Sequence, residues 1–138
     1  MTLRYKRPDR KNAASILAAA ELEMRFTLSM EPREDAGTTI VRNIYECFRM
    51  LGDALLVSEG VESNDHLAPL QRLMELQVEA GRPLRVLDNL RRLRHNVNYY
   101  GYRPNLYEVM DALSIAKALF NPLLAAVRAE VERRQTLS

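Results

Sequence analysis

The sequence predicts an all-α protein, and three observations carry that expectation. Apolar residues return every three or four positions through five segments, the spacing that lines one face of a helix. No segment alternates apolar and polar residues as a half-buried strand does. Glycine (5) and proline (6) are few and fall mostly between the periodic segments. With 138 residues the chain suits a single domain, with a short arm over residues 1–9 ahead of the first helix. An apolar content of 47% supplies a core without disulfide or metal support.

The first helix is expected over about residues 10–30, capped near Asp9. Ala13, Ile16, Leu17, Ala20, Met24 and Leu28 form its apolar stripe, and residues 31–37 make a polar loop. The second helix starts near Thr38 or Thr39 and ends at Gly60. Its face of Ile40, Val41, Ile44, Tyr45, Phe48, Leu51, Leu55 and Leu56 is wide enough to pack on several neighbours. Residues 61–64 read as a turn, with Asp65 as the next cap and His66 as a helix-start residue. The third helix runs over about 66–80, where Pro69 is tolerated in the first turn, and Gly81 closes it. The fourth opens on Pro83 and reaches about Tyr99. Asn105 caps the fifth, which runs to about Arg133 on Val109, Leu113, Ala116, Leu119, Phe120, Leu123, Val127 and Val131. Pro122 interrupts that stripe, so a kink is expected near residues 118–121. Short loops between amphipathic helices favour antiparallel neighbours, hence a five-helix up-and-down bundle with a kinked last helix.

A net charge of +2 is too small to imply nucleic-acid binding by bulk attraction. The kind of charge is more telling, with 17 arginines against 3 lysines. Arginine offers a planar fork that matches phosphate and carboxylate. One cysteine, Cys47, excludes an internal disulfide and a cysteine-cluster zinc site, and its apolar setting predicts a buried thiol. Residues 1–10 are basic with no apolar run behind them, so no signal peptide is expected. No run of about 18 consecutive apolar residues marks a membrane span. A reduced, cytoplasmic setting follows as the expectation. His66 and His95 lie too far apart for metal-ligand spacing, and no phosphate-binding glycine loop is present, so neither metal nor cofactor is expected.

The segment from Arg91 to Tyr102 concentrates the chemistry. It holds Arg91, Arg92, Arg94, His95, Asn96, Asn98, Tyr99, Tyr100 and Tyr102. At about 100° per residue, Val86, Leu90, Leu93 and Val97 form the core line of the fourth helix. Leu87, Arg91, Arg94 and Asn98 border it, while Asp88, Arg92, His95 and Tyr99 lie further round. Cations near a helix C-terminus are favoured by its dipole, which accounts for the arginines without a ligand. It does not account for the tyrosines that follow. Arg91, Arg94, Asn98, Tyr100 and Tyr102 are therefore candidate ligand-binding residues, and Arg94, His95 and Tyr99 candidate catalytic ones.

Three stretches resemble the HEPN family, small helical domains named for nucleotide binding in higher eukaryotes and prokaryotes. Ile44–Val61 is similar to the family's second helix, with an aromatic-rich start, Ala54-Leu55-Leu56 and a Glu59-Gly60 turn. Asp65-His66 is similar to the histidine that opens the next helix. Arg94-His95 followed by Tyr99-Tyr100-Gly101-Tyr102 looks like the family signature of an arginine, a polar residue and a later histidine. The likeness runs from about residue 40 to the end. It implies a homodimer with the two motifs facing each other, an RNA-cleaving site in active members, and a nucleotidyltransferase partner in toxin–antitoxin pairs. Arg94 matches the arginine, and His95 the polar position after it. The family histidine is replaced, by Tyr99 if four residues intervene or by Tyr100 if five do, Tyr102 then matching a trailing tyrosine. A neutral phenol, with a pKa near 10, is a poor general base at neutral pH.

Three functions follow as expectations. One is a non-catalytic homodimeric module binding a nucleotidyltransferase-type partner or a nucleotide or RNA phosphate through the Arg94 segment. The second is a metal-independent endoribonuclease in which Arg94 stabilises phosphorane charge and His95 or Tyr99 moves the proton. The third is a helical dimer with no ligand. An Arg94 held by Asp53 or Glu46 of its own chain would favour the third.

Overall fold

A computed structural model describes residues 3–63, 65 and 67–136. The protein is an all-α bundle of five helices with one very short sheet: β1 (Leu3–Tyr5), α1 (Arg10–Leu28), α2 (Gly37–Glu59), β2 (Val61–Ser63), α3 (Leu67–Met74), α4 (Val86–Tyr100) and α5 (Leu106–Thr136). A single 3-10 turn, Glu34–Ala36, leads into α2.

The central element is α2, which packs on all four other helices. That follows from its broad apolar face, since every apolar position expected in it is buried. Phe48 meets Phe120 of α5 edge to face, ring centroids 5.8 Å apart. The eight expected core positions of α5 are likewise buried. In α1, Ala13, Leu17, Ala20 and Met24 are buried, and Ile16 and Leu28 are partly so.

Helix ends obey local chemistry. Asp9 caps α1, its Oδ1 accepting from the Asn12 N–H at 2.9 Å. Asp65 accepts from the Leu67 N–H at 2.8 Å. Asn105 and Glu108 cap α5 reciprocally, at 2.8 Å and 3.0 Å. Gly60 closes α2 in the left-handed region at φ 73°.

Three expectations are corrected. The third helix stops at Met74, six residues early, because the bonds Glu75 N–H to Arg72 O and Leu76 N–H to Leu73 O tighten its last turn. Leu76, Val78, Ala80 and Leu84 then pin the loop to the core, giving it the apolar look of a helix. The fourth helix begins at Val86, since residues 83–88 start with the tighter three-residue spacing, Val86 N–H to Pro83 O and Leu87 N–H to Leu84 O. The arm and the expected turn after Gly60 pair as an antiparallel ladder, Arg4 opposite Glu62 and Tyr5 opposite Val61. Three-residue strands are too short to show a period in sequence. Lys6 N–H to Gly60 O (2.6 Å) and Asp9 N–H to Val57 O (3.1 Å) continue that docking along the end of α2. Helix α5 runs as one element across Pro122, and by length and composition it is apolar enough to cross a membrane, with half of that stretch buried in the bundle. His66 and Asn64 lie outside the described residues.

Two features hold the helices at fixed spacing. A Cβ on Gly52 of α2 would lie 2.1 Å from the Pro69 carbonyl oxygen, so α2 and α3 touch backbone to backbone. Glu59, nearly buried, accepts from Arg72 Nε (3.0 Å) and Nη2 (2.8 Å) and from Arg134 Nη2 (2.8 Å), joining α2, α3 and α5.

Candidate functional site

Helix α4 packs on α2 and α5, and buries Val86, Leu87, Leu90 and Val97. Leu87, expected on the border, is fully buried, so the core line is two residues wide at the start of α4. This packing leaves Arg91 and Arg94 half-buried and Arg92, His95, Asn98, Tyr99 and Tyr100 exposed. Asn98, placed by phasing at the core border, is on the surface because α4 is within one turn of its end there. Gly101 ends the helix at φ 63°, and the Tyr102 N–H closes the cap on Asn96 O at 3.1 Å.

The arginines of this seam differ in what they hold. Arg91 gives its Nε–H to Asp88 Oδ1 at 2.9 Å, and Arg92 pairs with Asp88 Oδ2 at 2.8 Å. On α2, Arg49 is clasped by Glu46 and Asp53, with Nε 3.0 Å from Glu46 Oε2. Away from the seam, Arg72, Arg82 and Arg134 also hold carboxylates. Arg94 holds none among the described residues. Its guanidinium instead lies over the ring of Tyr45, 5.0 Å from the centroid. Asp53 and Glu46, its two expected intrachain partners, are engaged with Arg49.

Tyr45 is a buried platform, 2% exposed. Burial pushes its phenol above the usual tyrosine range, and the positive charges of Arg94, Arg91 and Arg49 oppose that rise. The phenol is therefore neutral at physiological pH. One turn earlier on α2, Arg42 gives its Nε–H to Asn98 Oδ1 at 2.7 Å. Asn98 thus orients a second guanidinium on the α2–α4 seam, with the Nη groups of Arg42 making no bond among the described residues.

The remaining motif residues form a separate group. The His95 ring lies 4.6 Å from Tyr99 and 5.9 Å from Tyr100, in tilted and edge-on contacts. Tyr102 donates its hydroxyl to Glu108 Oε1 at 2.6 Å, a bond that raises its pKa and ties it to the cap of α5. The candidate residues are thus brought together as two sets: Arg94 and Asn98 with Arg42 and Tyr45, and His95 with Tyr99 and Tyr100. Arg94 and His95 do not converge within one chain.

Arg42 is absent from the sequence reading, and Tyr45 enters it only as core. Their signal is a register match. Positions 42 and 45 on α2 face positions 98 and 94 on α4, a pairing visible only once the helices are laid side by side. Chemically, each guanidinium offers a planar fork of donors that matches a planar or tetrahedral oxyanion, and Arg94 is covered on one face by Tyr45. Among the described residues no group of three or more His, Cys, Asp or Glu is placed to hold a metal ion. Comparison with known protein families, with curated proteins and with solved structures finds no match to this chain.

Proposed function

We propose that the chain is a HEPN-like homodimeric interaction module, without catalysis, that binds the phosphate of a nucleotide or RNA through its Arg94 segment. The carrying observation is the state of Arg94. Half-buried Arg49, Arg72 and Arg91 are neutralised by carboxylates, whereas Arg94 rests on Tyr45 with no counter-ion among the described residues. A cation kept partly out of water without a carboxylate gains most from an anion supplied from outside. Arg42, steadied by Asn98, adds a second fork. The exposed Tyr99 and Tyr100 offer ring faces to a base. A nucleotidyltransferase-type protein, the partner the resemblance implies, handles ligands of the same phosphate chemistry.

The ribonuclease reading finds less support. His95 is turned to Tyr99 and Tyr100, and Arg94 to Tyr45, so no base stands beside the arginine in one chain.

One experiment separates the three functions. A labelled single-stranded RNA is incubated with the protein in excess chelator, and binding and cleavage are scored together. The expected outcome is binding of intact RNA, weakened about tenfold or more in Arg94→Ala. Cleavage that disappears in both Arg94→Ala and His95→Ala would establish the nuclease instead. Absence of binding to RNA and to AMP would leave a dimer with no ligand.

A further inference from the structure

A second surface runs along the outside of α1. Leu22 and Phe26 stand one turn apart there, 66% and 61% exposed. At about 100° per residue they share an arc of about 120° with Lys11, Ala14, Ala18 and Arg25, all exposed. The buried stripe of Ala13, Leu17, Ala20 and Met24 lies on the opposite side. Helix α1 therefore shows water a second apolar line, Ala14, Ala18, Leu22 and Phe26, at four-residue steps. Ser15 falls in the same arc, and its hydroxyl is spent on the Lys11 carbonyl at 3.2 Å.

Charge is sorted around α1 in the same way. Its two carboxylates sit on the flanks. Glu21 pairs with Arg128 of α5 at 3.0 Å, and Glu23 lies toward α2, where its charge reaches Cys47. The outer arc keeps the cations, Lys11 and Arg25, neither in an ion pair among the described residues. Arg7, exposed and likewise unpaired, lines one groove with Lys11 and Ala14, so the arm carries the cationic line past the start of the helix. Of the carboxylates in that groove, Asp9 is engaged in capping α1, and Glu132 belongs to α5. Large apolar side chains among uncompensated cations are the composition of an interfacial helix, whose rings and branched chains enter the acyl boundary while its cations reach the headgroups. A peptide ligand seats in a groove or along a strand edge, whereas Leu22 and Phe26 project from the outside of a single helix.

We propose that the chain docks reversibly on an anionic lipid surface through the outer face of α1, with Leu22 and Phe26 entering the interface and Arg7, Lys11 and Arg25 meeting the headgroups. This goes beyond the phosphate reading and does not depend on it. The test is co-sedimentation with vesicles at low ionic strength. Mixed phosphatidylserine–phosphatidylcholine vesicles should carry the protein down, phosphatidylcholine alone should not, and added salt should release it. Both lipids carry phosphate, so the contrast separates a charged surface from a phosphate contact at Arg94, and Arg94→Ala should bind the mixed vesicles as the unaltered chain does. Phe26→Ser, and the double reversal Lys11→Glu with Arg25→Glu, should each weaken binding about tenfold or more. The chain has no tryptophan, so Phe26→Trp reports on its own site. Its emission should shift to the blue on the mixed vesicles, while that of Tyr107→Trp, at an 80% exposed position of α5, should not. Circular dichroism checks that the variants stay helical, as exposed sites allow. No binding to the mixed vesicles overturns the proposal. So does binding as strong on phosphatidylcholine alone, binding that survives both α1 changes, binding lost in Arg94→Ala, or a blue shift at Tyr107→Trp without one at Phe26→Trp. RNA and AMP binding is scored separately through Arg94, so failure of one claim is distinguishable from failure of the other.

Discussion

Arg94 and Tyr45 show how much one pair of side chains decides. A guanidinium over a phenol ring gains about 0.5–2 kcal/mol, depending on how far water is excluded. That is less than a carboxylate pairing desolvated to the same degree gives, which leaves the cation responsive to an incoming anion. Lysine would keep the charge and lose both the planar stack and the two-pronged donation. Cys47 is the second residue whose surroundings dictate behaviour. Burial, and then the negative charges of Glu23 and Glu46, push its thiol from 9.0 up to about 12. In the unfolded chain the thiol loses its proton near pH 9, while the folded chain retains it. Above pH 9 the unfolded state therefore binds fewer protons, and stability falls as pH rises toward about 12. Tyr45, raised in the same direction, adds to the loss from about pH 10 upward. Urea titrations across this range should show the decline, with Cys47→Ala removing the part that sets in first. A profile that stays flat in the unaltered protein would contradict the account.

At the scale of the element, what was legible depended on length and on neighbours. The stripes of α2 and α5 are long, and the apolar positions expected in each are all buried, so their cores could be read directly. Helix α3 could not be bounded that way, because Leu76, Val78 and Ala80 pack on the core as a loop and imitate the stripe. The β1–β2 ladder left no trace in three residues per strand. Phasing placed Arg91 and Arg94 on the border of α4 correctly, yet phasing of a single helix says nothing about its opposite face. Arg42 became visible only when α2 and α4 were set in register through Arg42–Asn98 and Tyr45–Arg94. The α2–α3 contact offers a test with opposing terms. Gly52→Ala should gain up to about 1 kcal/mol from helix propensity. Its Cβ, 2.1 Å from the Pro69 carbonyl, forces the helices apart at a cost of about 1–3 kcal/mol or more, so net destabilisation is expected. Gly81→Ala, whose nearest neighbour would be the Ala118 Cβ at 3.9 Å, is the control and should leave thermal stability nearly unchanged. Equal melting temperatures for the two variants would refute the close approach.

For the whole molecule, the bundle works as a frame. Glu59, gripped by Arg72 and Arg134, locks α2, α3 and α5 at one end. At the other end the seam of α2 and α4 holds Arg42 and Arg94, neither paired with a carboxylate among the described residues. The functional claim rests on the Arg94 site. NMR titration with AMP tests it most directly, following the side-chain Nε–H signals of Arg94 and Arg42 and the ring signals of Tyr45. The account predicts saturable shifts confined to this seam, shared by inorganic phosphate, absent for adenosine at the same concentration, and abolished in Arg94→Ala. Signals that stay fixed through the titration, or shifts that persist unchanged in Arg94→Ala, would contradict it.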